Sequence, residues 1–270
     1  MRIEELFSVR GKIALVTGGS RGIGEMIAAG LLANGCKVYI SSRKEDVCAA
    51  TAERLSKEYA GECSAIPGDV STLEGVEHLK SELERREQRL DILVNNAGAA
   101  WGAPLDEFPE QGWDKVMDTN VKGMFFLTQK LLPLLRESAT PEDPARVINI
   151  GSIDGIQTPQ FENFSYGPAK AAVHHLTKQM GAHLVKENIV LNAIAPGPFP
   201  TWMLSTGVGY GGKTEGVDWD AVGKRNPRGR VGTPQDIAGL TIFLCSRAGA
   251  FTVGETITCD GGIVACSSGI

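Results

Sequence analysis

The chain has no C-x-x-C pair, no uncharged apolar run of membrane length, no excess of positive charge and no repeat period, and each absence closes a class of function. Its six cysteines, Cys36, Cys48, Cys63, Cys245, Cys259 and Cys266, are scattered, several of them within apolar runs. They read as small buried hydrophobes in a reducing compartment, with neither a disulfide frame nor a metal site. The histidines His174, His175 and His183 have no carboxylate or cysteine at ligand spacing, so surface or subunit-contact roles are expected and no metal. No segment reaches the roughly 18 to 20 uncharged apolar residues of a membrane span. The opening Met-Arg-Ile-Glu-Glu-Leu-Phe is too acidic for a signal peptide, and a soluble cytoplasmic protein is expected. A formal net charge of −5 offers no basic footprint for nucleic acid, and no such partner is expected.

What is present is a rhythm. Apolar runs of strand length at Lys12 to Thr17, Lys37 to Ser41, Cys63 to Pro67, Ile92 to Val94, Val147 to Ile150, Val190 to Ala195 and Thr256 to Cys259 alternate with amphipathic stretches. The latter lie near 22 to 34, 45 to 59, 72 to 88, 112 to 137, 166 to 187 and 234 to 246. Such alternation predicts an α/β fold: one doubly wound Rossmann-type domain over 1–270, about seven parallel strands with helices on both faces. One Gly- and Pro-rich stretch, 198–232, is too long for an ordinary connection and is expected to be a lid.

Directly after the first strand stands Thr17-Gly18-Gly19-Ser20-Arg21-Gly22-Ile23-Gly24, opening the first long helix. Glycines allow a tight turn and close approach to a pyrophosphate, which the helix N-terminal amides then meet. At the end of the second strand, Ser41-Ser42-Arg43-Lys44 carries no carboxylate for a ribose 2′-hydroxyl. Arg43, with Arg21 in the loop, favours a 2′-phosphate, so NADP(H) is the expected cofactor. The plainer alternative makes Arg43 and Lys44 a solvated helix start.

Tyr166 and Lys170 stand four apart and share one helical face. A neighbouring ammonium favours the phenolate, which suits acid/base work. With this pair the chain resembles the short-chain dehydrogenase/reductase family over about residues 9 to 263. The matching motifs are T-G-x-x-x-G-I-G (17 to 24), Asp69-Val70, Asn95-Asn96-Ala97-Gly98, Asn120, Ser152, Tyr166-x-x-x-Lys170, Pro196-Gly197 with Thr201, and Asp260-Gly261-Gly262. The resemblance implies that Tyr166 protonates a carbonyl oxygen as the nicotinamide delivers hydride, that Ser152 holds that oxygen, and that Lys170 lowers the Tyr166 pKa and binds the nicotinamide ribose. It implies that Asn120 anchors a relay water, that Asp69 and Val70 face the adenine, that Asn96, Ala97 and Gly98 lie by the adenine ribose and glycine loop, that Pro196 and Gly197 bind the cofactor, and that Thr201 stands beside the nicotinamide carboxamide or the phosphates. Within the family the look is closest to bacterial 3-oxoacyl-[acyl-carrier-protein] reductases of the rhamnolipid-type branch. That implies an acyl-thioester substrate, acyl carrier protein as a partner and a homotetramer built on the helices of Asn120 and Tyr166 and on the C-terminal strand region.

The stretch between Ser152 and Tyr166 is one residue longer than in many members. Its Asp154, Gln157, Phe161 and Asn163 are expected at the substrate mouth, with Ser165 as a helix cap or a site hydrogen-bonder. Trp101, Trp113, Phe199, Trp202 and Tyr210 are read as substrate contacts or ordinary packing. Two other functions stay open: a reductase of a small cyclic ketone, quinone or sugar-type ketone, and a catalytically idle NADP-binding protein.

Overall fold

The structure, a computed structural model, describes residues 2–159, 161–206 and 217–266. A short turn α1 (Ile3–Leu6) precedes β1 (Ile13–Thr17), α2 (Gly22–Ala33), β2 (Lys37–Ser41), α3 (Glu45–Tyr59), β3 (Cys63–Ala65), α4 (Leu73–Glu84) and β4 (Ile92–Asn95). The second half runs α5 (Glu110–Met117), a π-helical turn (Asp118–Lys122), α6 (Gly123–Ser138), β5 (Ala145–Ile150), α7 (Tyr166–Leu184) and β6 (Ile189–Pro196). It ends with α8 (Trp202–Thr206), α9 (Trp219–Lys224), α10 (Pro234–Cys245), β7 (Thr256–Cys259) and α11 (Ile263–Cys266). Strand limits follow local chemistry: β5 opens directly after Pro144, which has no N–H to give the ladder, and β3 stops before Pro67 for the same reason. Thr72 lies outside α4 as its cap, accepting the Gly75 N–H at 3.0 Å.

The seven strands are all parallel in the order β3-β2-β1-β4-β5-β6-β7. This is the expected single Rossmann-like α/β domain. Both sheet faces are covered, which is why β4, β5 and β6 are buried along their whole length and are mostly apolar, with Asn95, Arg146, Asn149 and Asn192 buried among them. One core layer joins Val16, Ile40, Val94 and Ile194 to Ile27, Leu31, Ile237 and Leu244 of α2 and α10. The other joins Leu15, Leu93, Val147 and Leu191 to Leu79, Leu83, Leu127, Leu131 and Leu184 of α4, α6 and α7. From β1 the chain builds the sheet outward through β2 to β3 and then crosses over to β4 on the other side of β1, so the C-terminal edge between β1 and β4 is the switch point where such sheets bind ligands.

The stretch read as one helix over 112 to 137 is two helices joined by the π turn, which holds the buried Asn120. Tyr210 lies outside the described residues. Among the described residues no helix is long and apolar enough to cross a membrane, and every cysteine is unpaired.

Candidate active site

At the switch point the ends of β1 and β4 are laced together. The Thr17 hydroxyl donates to the Val94 carbonyl at 3.3 Å and accepts the N–H groups of Asn96 and Ala97 at 3.0 Å each. The Asn96 side-chain amide returns to the carbonyls of Thr17 and Gly18 at 2.9 and 3.2 Å. Gly18 and Gly22 adopt φ of +64° and +59°, the left-handed region in which glycine carries no steric penalty. The loop thereby delivers the chain into α2, where Arg21 gives no side-chain cap to the first amides. The buried Ser20 carbonyl is tied to α3 by the Thr51 hydroxyl at 3.2 Å, and Ile23 packs on the core.

Around this loop stand the other cofactor candidates. Ser42 and Arg43 follow β2, the first carboxylate after them being Glu45 at the start of α3, and Ser42 is turned onto the Lys44 carbonyl at 3.4 Å. Asp69 accepts from the Ser71 N–H and hydroxyl at 3.0 and 2.7 Å through one oxygen, which leaves the other free of that turn. Val70 beside it is buried. The Gly197 N–H donates to Cys259 at 3.1 Å, continuing the β6–β7 ladder past Pro196. Thr201 lies against Gly22, within 3.3 Å of where a Cβ would stand. The Arg21 guanidinium lies 4.3 Å over the Trp202 ring, so it is stacked as well as charged. Helix amides without a side-chain cap for a pyrophosphate, and a cation at the β2 end where Ser41 to Lys44 carry no carboxylate, are what a phosphorylated dinucleotide requires.

The chemical end is carried by α7. Tyr166 and Lys170 lie on one face, with the Lys170 Nζ 5.6 Å from the ring centroid and donating to the Ile150 carbonyl at 2.8 Å. Ser152 follows β5, and its hydroxyl accepts the Asp154 N–H at 3.2 Å and hydrogen-bonds the Tyr166 phenol. Gly98 lets the three elements meet: a Cβ there would lie 3.2 Å from Asn120 Oδ1 and 3.8 Å from Lys170 Nζ. Burial pushes the Tyr166 phenol up to about 12, the Asp154 charge adds to this, and the Ser152 hydrogen bond opposes it. Burial likewise pulls Lys170 down to about 8.

Several expectations are corrected. The expected lowering of the Tyr166 pKa by Lys170 is not seen: the Lys170 ammonium is held by the Ile150 carbonyl, and burial of the phenol sets the direction of its shift, upward. The Asn120 side chain is oriented by Ala99, accepting its N–H at 2.8 Å and donating to its carbonyl at 2.9 Å, which leaves a second amide N–H and a second lone pair beside the backbone of the π turn. Ser165 makes no helix cap; its hydroxyl is buried without a partner among the described residues. Phe199 is not at the substrate mouth but 2% exposed in the core, with its ring against Gly232. Trp101 packs its ring on Gly112 under the Lys115 ammonium, 5.1 Å away, while Trp202 is 51% exposed beside the glycine loop. Asp154 hydrogen-bonds the Asn163 side chain, and burial raises its carboxyl pKa. Phe161 is half-buried in the same wall, which reaches Trp101's loop through the Ala103 N–H to Glu162 at 3.0 Å.

Sequence reasoning missed His174, expected at the surface or at a subunit contact. Its Nε2 accepts the Ser152 N–H at 3.4 Å, and burial together with the Lys170 charge pushes it down to about 4. Continuing the Tyr166–Lys170 spacing by one more turn arrives at this residue, and that was the available signal.

Comparison with known proteins supplies the class. The family model described as enoyl-(acyl carrier protein) reductase, a short-chain dehydrogenase model, matches residues 18–264. The chain belongs to the short-chain dehydrogenase/reductase family. It is 48% identical over 256 residues to the rhamnolipids biosynthesis 3-oxoacyl-[acyl-carrier-protein] reductase of Pseudomonas aeruginosa, across 95% of this chain and 97% of that protein. It is 35% identical to gluconate 5-dehydrogenase of Gluconobacter oxydans, across 96% and 97% of the two chains. The solved Pseudomonas aeruginosa RhlG/NADP active-site complex superposes with a TM-score of 0.88 at 48% identity, covering 97% of this chain and 99% of that one.

Proposed function

We propose that this protein uses NADPH to reduce the ketone of a 3-oxoacyl thioester to a secondary alcohol. The observation that carries the reading is the meeting of Ser152, Tyr166 and Lys170 beside the glycine loop at the switch point of the sheet. Gly18, Ser20, Arg21, Gly22, Ile23 and Gly24 form the cradle for the pyrophosphate, with Arg43 and Ser42 beside the 2′-phosphate. Asp69, Val70, Asn96, Ala97 and Gly98 line the adenosine side, while Pro196, Gly197, Thr201 and Lys170 hold the nicotinamide side. The bound dinucleotide supplies hydride; the protein orients, excludes water and moves one proton. Ser152 hydrogen-bonds the substrate oxygen, and Tyr166 gives that oxygen its proton. Burial keeps the phenol protonated at neutral pH, the form that donates to the substrate oxygen. The buried Lys170 steadies the phenol and the ribose, and the π turn at Asn120 carries the route by which the proton is replaced.

The relative of highest identity described above is named for a 3-oxoacyl-[acyl-carrier-protein] substrate, which supports the thioester class and acyl carrier protein as its carrier. A sugar-type ketone is the second reading, favoured by the 35% identity to a gluconate dehydrogenase. We further propose 198–232 as the lid, a homotetramer as the assembly and the cytoplasm as the compartment, where six unpaired cysteines stay reduced. Steady-state kinetics with 3-oxoacyl thioesters of rising chain length beside sugar ketones, with NADPH and NADH, tests the reading. The highest kcat/KM is expected for a thioester with NADPH. Preference for a sugar ketone overturns the substrate, preference for NADH overturns the cofactor, and cofactor binding without any turnover identifies an idle protein.

A further inference from the structure

Tyr166, Lys170 and His174 stand at i, i+4 and i+8 on α7 and so form one stripe along its inner face. All three reach the same short segment, Ile150 to Gly155. Tyr166 meets the Ser152 side chain, Lys170 donates to the Ile150 carbonyl at 2.8 Å, and His174 Nε2 accepts the Ser152 N–H at 3.4 Å. His174 also has a backbone hydrogen bond to Gly155, which closes the far end of the turn. We propose that His174 is a positioning residue for the reaction: it clamps the Ser152 turn to α7 so that the Ser152 hydroxyl is held at the Tyr166 phenol. The role in turnover rests on the reductase reading; the clamp itself does not.

The need for a clamp follows from backbone accounting. The β5–β6 ladder ends with the Gly151 N–H donating to Ile194 at 2.7 Å, so the next buried donor, the Ser152 N–H, has no strand partner. The imidazole supplies its acceptor. Room for the ring is made on both sides: a Cβ on Gly151 would collide with His174 Nε2, and one on Gly155 would lie 2.8 Å from Cε1. Acceptance at Nε2 requires a neutral ring with its proton on Nδ1, the nitrogen left for the Gly155 carbonyl. Beyond the clamp, the Asp154 N–H to Ser152 Oγ bond at 3.2 Å stiffens the turn, so a shift of its backbone is transmitted to the hydroxyl.

The test uses the full chain and the ketone that it turns over best, with His174→Leu, His174→Gln, Ser152→Ala and the Leu/Ala double variant. His174→Leu is expected to lose about 10- to 100-fold in kcat, the scale of a misplaced catalytic group, with the KM for NADPH little changed. His174→Gln, which offers an acceptor and a donor side by side, should recover most of that loss. In the Ser152→Ala background, His174→Leu should cost less than about threefold more, because residues acting through one another are not additive. Parent-like kcat in His174→Leu, a multiplicative loss in the double variant, or Gln no better than Leu overturns the role. Long-range 1H–15N spectra of the parent read the tautomer without turnover or any variant's folding. Protonated Nδ1 with bare Nε2 is expected, and a proton on Nε2 overturns the clamp. A parent that reduces no ketone sinks the reductase reading alone.

Discussion

Tyr166 is held between opposing influences, burial and the Asp154 carboxylate raising its pKa and the Ser152 hydrogen bond lowering it, and the first two prevail. Its hydroxyl is the proposed proton source, so Tyr166→Phe should cut kcat by orders of magnitude while leaving the NADPH dissociation constant nearly unchanged, as read by turnover and by cofactor titration. Lys170 is the group that titrates in the working range. Pulled down to about 8, it carries charge below that pH and loses it above. The rate of reduction should therefore fall as pH rises through about 8, and Lys170→Arg, at a lower rate, should move this limb upward because guanidinium stays charged. A limb that stays in place would remove Lys170 as its source. Residue identities at this site were legible because proton transfer and phosphate binding restrict the residue types. Their hydrogen-bond partners were not legible: nothing in the order of the chain states that Asn120 pairs with Ala99 or that the Lys170 ammonium sits on Ile150.

At the scale of elements, α7 is the scaffold on which the chemistry is assembled, and its His174 contact makes stability depend on pH. The folded imidazole takes up a proton only near 4, whereas the unfolded one does so near its ordinary 6.5. Between those values the unfolded chain binds more protons, so this contribution is present above about 6.5 and is lost as pH falls toward about 4. The difference in Tm between the parent and His174→Gln should narrow over that interval; a constant difference would remove His174 as its origin. Phe199 belongs here as well. The sequence left it between a substrate contact and ordinary packing, and the fold settles it by turning the ring inward against Gly232. Phe199→Ala should cost about 3 to 5 kcal/mol in chemical denaturation, the usual cost of an emptied aromatic site in a core. Helix ends were less legible than helices, since caps such as Thr72 and the π turn around Asn120 depend on what each end packs against.

For the whole molecule, strand number and the parallel arrangement could be read ahead of the structure, because helices covering both faces leave strands no polar side to show. Assembly could not be read, since it depends on which surfaces stay uncovered. Phe251, just before β7, is fully exposed in the single chain, in the region proposed to meet a second copy. Phe251→Asp should lower the mass seen by sedimentation from tetramer to smaller species while the folded protomer survives; an unchanged mass would move the interface elsewhere. A last consequence comes from the Arg21 guanidinium stacked on Trp202. A phosphate that draws Arg21 off the indole alters the electronic surroundings of one of only four tryptophans. The protein thus carries its own optical reporter: with Trp101, Trp113 and Trp219 replaced by Phe, the emission of Trp202 should follow occupancy of the glycine loop in real time.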